Sequence, residues 1–139
     1  MNFGRIALAA LGGFLSYMVL GFLMFAALPA MKSEFEKYPA VYRPKDAMMP
    51  LMPLAMASIL VEMAALAVIY AMTCRNASGL AHGAAFGALV GVFAICSFVV
   101  HNYVNLNIGV TLTIYQGVAY FIQWLVAGIA MGLIYRPPS

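Results

Sequence analysis

Glu62 is the residue whose type and place promise the most chemistry. It stands alone in the apolar run LMPLAMASILVEMAALAVIYAM, with Ser58 about one helical turn before it. A carboxyl at the centre of a bilayer costs about 2.5–3.5 kcal/mol on insertion scales. A group that expensive is expected to face a helix-bundle interior or a wet cavity. Two roles fit: a proton or cation site, or a carboxyl whose hydrogen bond ties helices together. Matching four spans by depth gives the expected neighbours. Tyr17, Gly91 and Gln123 fall in the same layer, with Gly91 leaving room for a helix or a ligand. That layer contains no Lys or Arg.

The other candidates are weaker. His82 and His101 stand at opposite ends of one apolar run, about 28 Å apart along a helix, too far to hold one haem between them. His101 opens HNYVNLN, where His101, Asn102 and Asn105 share a face if the helix continues. Ligation of a haem or pigment by His101 is the functional reading, and Trp124 is a further candidate for a ligand contact. A polar helix end with Asn side chains capping backbone groups is the simpler reading, and the sequence favours it. Cys74 and Cys96 form no CxxC and have no His at metal-ligand spacing, so no metal site is expected. HExxH, GxSxG and Walker motifs are missing from the sequence, so no catalytic residues are assigned.

The elements that must position these residues are four long apolar runs, at about 6–28, 51–72, 80–101 and 113–135. Each holds about 20 residues, enough to cross an apolar layer of about 30 Å as a helix. Their apolar residues are continuous, whereas barrel strands alternate, so helices are the expected form. Pro29 closes the first run, and Pro50 and Pro53 open the second. The first run is longer than a signal-peptide core, and Leu28 and Pro29 spoil a cleavage site after Ala30. It is therefore read as a retained span.

Between the first two runs lies a polar loop, 29–50, which holds most of the charges. Met31 and Phe35 fall on one side of its first half, and Pro39 and Pro44 prevent a long helix there. The second and third runs are joined by a short connection and should form an antiparallel hairpin. Glycines recur every four residues in the third run, at Gly79, Gly83, Gly87 and Gly91, and again at Gly128 and Gly132 in the fourth. Such stripes let helices approach closely, either within the chain or between chains. Tyr70, Tyr103, Tyr115 and Tyr135 lie near run ends, as in an aromatic belt.

Composition supports the same class. Of the 139 residues, 65% are hydrophobic and 8% charged, against about 45–50% and about 25% in soluble domains. A water-soluble fold of this size cannot hide so much apolar surface. The seven basic residues are spread without a run of Lys or Arg, so no nucleic-acid partner is expected. Arg5, Arg75 and Arg136 would face one side, and Lys32, Lys37, Arg43 and Lys45 the other. This near-tie, weighted by the N-terminal flank, favours both termini inside.

The Gly-bearing first span, the polar Pro-rich loop, GLAHGAAFGALVG and the ending QWLVAGIAMGLIYRP resemble small four-helix bacterial membrane proteins of unknown function. The resemblance covers most of the chain and implies a fold and a bacterial inner-membrane location, but no activity. Small multidrug transporters also combine four helices with one membrane Glu. Theirs lies in the first helix, whereas Glu62 is in the second.

The sequence thus predicts an all-α polytopic membrane protein, a single antiparallel bundle of four transmembrane helices. The expected role is a non-catalytic subunit or scaffold, associating with other membrane subunits or with itself, with room for a lipid, quinone or pigment. The alternative is a small proton- or cation-coupled transporter using Glu62.

Overall fold

The computed structural model describes residues 2–74, 78–135 and 137. Arg75 and Arg136, used in the charge comparison, lie outside them. Helix α1 (Phe3–Gly21) begins at Asn2, whose Oδ1 accepts the Arg5 N–H at 3.1 Å. That cap satisfies one of the free amides of the first turn, so the helix starts before the apolar run does. The same rod continues as a π-helical turn, Phe22–Ala27, and stops at the extended Leu28.

A separate helix, α2 (Pro29–Glu36), starts on Pro29, where the missing N–H costs nothing. Next come α3 (Lys45–Met48), a 3-10 turn at Met49–Leu51 and α4 (Met52–Thr73). These form one helical stretch beginning at Lys45, six residues before the expected 51. The sequence reading let two prolines mark a boundary. Instead, the 3-10 turn absorbs Pro50, and Pro53 sits in the first turn of α4.

Helix α5 (Leu80–Ala94) runs through a second π-helical turn, Ile95–Val100, into α6 (His101–Asn105). The last element is α7 (Val110–Ile134). Four helical stretches, Phe3–Ala27, Lys45–Thr73, Leu80–Asn105 and Val110–Ile134, are long and apolar enough to cross a membrane.

Packing centres on α7. Its partner α5 lies so close that backbone touches backbone. A Cβ placed on Gly83 would stand 2.5 Å from the Gly128 carbonyl oxygen, and one on Gly87 would stand 2.5 Å from that of Trp124. Seen from α7, a Cβ on Gly128 would meet Gly87 Cα at 2.5 Å, and one on Gly132 would meet the Gly79 carbonyl oxygen at 2.5 Å. Gly91 is filled differently, by the Phe121 ring. The glycine stripes of the two helices are thus used against each other within one chain. Gly79 also starts α5 with φ at 121°, a conformation open to glycine.

Helix α1 packs on both α7 and α4, and its glycines accept side chains rather than backbone. Gly13 receives Met131 and Met63, and Gly21 receives the Gln123 amide. Tyr70 joins α4 to its neighbours, its ring standing 5.2 Å from Phe86 and 6.0 Å from Tyr135. A second, smaller core forms where α2 folds over the start of α7. There Met31, Ile108, Leu112 and Ala119 are buried with Phe35 and Tyr38 against them. Lys37 is paired with Glu34, which holds the ammonium above its ordinary value. A raised folded value means this pairing acts in full below the ordinary lysine range and fades as pH climbs through the raised one.

Replacing Gly87 by Leu should lower stability by at least about 1–3 kcal/mol, the usual cost of overpacking. The obstacle is the Trp124 carbonyl, which no side-chain rotation removes. Thermal unfolding in detergent measures the effect, and an unchanged midpoint would rule out the close backbone contact.

Candidate functional site

The polar groups that could do chemistry gather around the middle of α7. Gln123 is almost fully buried, 2% exposed, and its Nε2 donates to the Tyr17 carbonyl of α1 at 3.1 Å. The Tyr17 ring lies 4.7 Å from Trp124, tilted by 50°. Tyr17, Gln123 and Trp124 are therefore brought together in one layer. The amide oxygen of Gln123 is buried without a hydrogen-bond partner. An unpaired buried carbonyl is costly and rare, and it marks a place where polarity is kept for a reason beyond packing.

Glu62 stands on α4, at the flank of this layer: it is exposed, and no hydrogen bond reaches it among the described residues. The expectation that it points inward to a hydrogen bond from Tyr17 or Gln123 is corrected here. The reason lies in helix phase. The face of α4 that packs is Met63, Ala67, Tyr70 and Ala71, and Glu62 sits about 100° around the helix from Met63. Ile59 and Leu66, one turn either side, pack against the core only partly. Before Ile59, residues 52–58 of α4 are exposed on every side. Glu62 thus stands where α4 parts from the rest of the molecule. Ser58 is also exposed and uses its hydroxyl on the Ala55 carbonyl, 2.8 Å away. Gly91 meets Phe121 rather than this layer.

Tyr120, Gln116 and Tyr42 were missed from the sequence. Tyr120 is gripped between Phe25 and Phe98, with ring centroids at 5.4 Å and 5.5 Å. Each of those rings comes from a π-helical turn, one following α1 and one following α5. Gln116 is 4% exposed, donates to the Tyr42 hydroxyl at 3.3 Å, and also carries an unpaired buried oxygen. One signal was available in the sequence. Gln116, Tyr120 and Gln123 repeat at four and three residues, so they share one face of a helix.

The His101 group stays apart from this layer. His101 and Asn105 are exposed and Asn102 is half-buried. The helix does continue through them, and Asn105 Nδ2 donates to the His101 carbonyl at 2.7 Å. The Leu106 N–H donates to the Asn102 carbonyl at 2.7 Å. These bonds close a helix end. His82 is exposed on α5. Among the described residues no three His, Cys, Asp or Glu side chains gather as metal ligands. A crevice between α4, α5 and α7, bordered by Leu66, Phe86, Val90 and Trp124, is too tight for a water molecule.

No known protein family, curated protein or solved structure matches the chain. The resemblance to small four-helix membrane proteins therefore rests on the sequence features alone.

Gln123→Leu should leave stability within about 1 kcal/mol of the parent. It loses one hydrogen bond but also removes a buried oxygen that has none. Chemical denaturation of the two proteins in the same detergent compares them. A loss of several kcal/mol would show that the amide carries more than its bond to Tyr17.

Proposed function

We propose that this chain is an integral membrane protein, an antiparallel bundle of four spans, serving as a non-catalytic subunit of a larger membrane assembly. The observation that carries the reading is Glu62, exposed on an apolar helix and without a hydrogen bond among the described residues. Such a carboxyl facing lipid is unfavourable by about 2.5–3.5 kcal/mol. A neighbouring subunit that meets it removes that penalty, and a monomer alone does not.

The surface around Glu62 suits such a contact. Met48, Met49, Met52 and Met56 are exposed along the same stretch, with Leu54 and Val61 each 70% exposed. Methionine side chains adapt their shape to a partner. The glycine stripes of α5 and α7 fill each other within the chain, which directs partners to α4. A lipid, quinone or pigment, if the assembly holds one, would lie against this same open side. The antiparallel order is supported by pairings that fall on α7 as they rise on α5: Gly83 with Gly128, Gly87 with Trp124, Gly91 with Phe121. We place Arg5 inside and Lys32, Lys37, Arg43 and Lys45 outside, in a bacterial inner membrane.

A second reading, a small proton- or cation-coupled transporter, draws on the placing of a carboxyl midway along the apolar helix α4. Two substitutions separate the readings. Glu62→Leu should reduce the native size of the protein extracted in mild detergent while leaving its own melting temperature unchanged. Glu62→Gln keeps hydrogen bonding and should preserve that size. Unchanged size for both variants, with ion flux in liposomes lost in Glu62→Gln, would favour the transporter. Introduced cysteines at positions 3 and 137 should label from one side and a cysteine at 40 from the other. Opposite labelling of the two ends would overturn the four-span arrangement.

A further inference from the structure

We infer that Glu62 anchors a transmembrane helix of another subunit, one that carries a lysine or arginine at mid-depth and lies along the face of α4 marked by Ala55, Ser58 and Ala65. This assignment rests on the subunit reading and adds the chemistry of the partner. Glu62 lies about 15 Å along the helix from either end of α4. Half of an apolar layer is about 15 Å deep, so lipid headgroups do not reach that level. The carboxyl is open to a neighbour: it is exposed, and no hydrogen bond reaches it among the described residues.

The face around Glu62 suits a helix. Ala55 and Ser58 precede it, and Ala65 follows it, at the spacings that put all four residues on one stripe of α4. All four are exposed. Small side chains on that stripe let a second helix come close enough for a long basic side chain to meet the carboxyl. Residues 52–58 are exposed on every side, so the approach is unobstructed over about two turns. Ser58 does not occupy the carboxyl, because its hydroxyl donates to the Ala55 carbonyl at 2.8 Å.

Charge decides the occupant. None of the seven Lys and Arg of the chain lies at this depth, and Lys45, on the same helical stretch, is about 25 Å away along it. A second copy meeting this face symmetrically would bring another carboxyl to the same level, and no cation. The interior polar groups Tyr17 and Gln123 are buried within each copy, so a second copy cannot offer them either. A free divalent cation is also a poor occupant. Calcium gathers about six to eight oxygens, and this face offers one carboxyl and one hydroxyl. A lysine or arginine brings its own donors on a long stem, and pairing relieves the cost that each charge carries alone in lipid.

The test uses the full chain in liposomes, with Cys74→Ala, Cys96→Ala and a donor dye on Ala40→Cys. The probe is a synthetic transmembrane peptide rich in leucine and alanine that bears an acceptor dye. It is made with lysine, asparagine or leucine at its centre, or with lysine near one end, and energy transfer reads its association with the chain. The central-lysine peptide should associate roughly tenfold or more tightly than the leucine and end-lysine peptides. Glu62→Leu should abolish that preference. Glu62→Gln keeps an acceptor oxygen without the charge, so it should hold the lysine and asparagine peptides equally, whereas the parent should prefer lysine. Equal association of every peptide with the parent, or a lysine preference that survives in Glu62→Leu, overturns the assignment. So does energy transfer between two differently labelled copies that is lost in Glu62→Leu, which would make the occupant a second copy. A native size in mild detergent that falls in Glu62→Leu, without any lysine preference, removes the basic helix but keeps the subunit reading. An unchanged size in Glu62→Leu removes both.

Discussion

The contact on which the rest of this structure depends is the meeting of two backbones, α5 and α7, along Gly79, Gly83, Gly87, Gly128 and Gly132. In a bilayer, lipid tails are as apolar as the side chains they would replace. Helices there associate through packing, and the closest packing needs the smallest residues. With α5 seated on one side of α7, the opposite side is left for α1. Its contacts are of another kind, with long side chains dropping into Gly13 and Gly21. Methionine and glutamine fill those places, so the α1 contact depends on side-chain shape and one hydrogen bond rather than on bare backbone.

Helix α4 is a consequence of what remains. It meets the bundle through Met63, Ala67, Tyr70 and Ala71, all in its second half. Residues 52–58 are exposed on every side. The division falls at Ile59, the first residue to pack partly against the core, and Glu62 is about one turn beyond it. A carboxyl at such a junction is not enclosed by the interior polar layer. Enclosure would demand a partner for each lone pair, which this apolar interior does not offer. Placement at the edge leaves the carboxyl exposed instead.

Much of this architecture was legible in the sequence because long apolar runs follow a simple rule. Four apolar runs of about 20 residues state their own length and form. The helix ends were less legible. Pro50 and Pro53 suggest a helix start, and only the packing of residues 45–51 as one rod places it at Lys45. The layer of Tyr17 and Gln123 was legible from depth alone, since four stacked spans leave few choices. The orientation of Glu62 was not. Depth says how far along a helix a residue lies, while facing depends on phase, and the low amphipathicity of α4 hides its phase. The π-helical turns were silent too, since FLMFAA and ICSFVV read as ordinary apolar helix.

Those two turns connect the rigid half of the molecule to its polar half. A π-helical turn changes the direction of every side chain after it, because one residue is added to the turn. In α1 the shift falls just after Gly21, where the Gln123 amide is lodged. In α5 it falls just after Gly91, the last of the four glycines, where backbone contact gives way to the Phe121 ring. Both helices therefore leave their small-residue register at the point where α7 turns polar. The chain departs from ordinary helix geometry at two sites, and a ring from each closes on one tyrosine. The aromatic grip and the buried glutamines are then parts of one arrangement on α7, set by where the glycine contact stops.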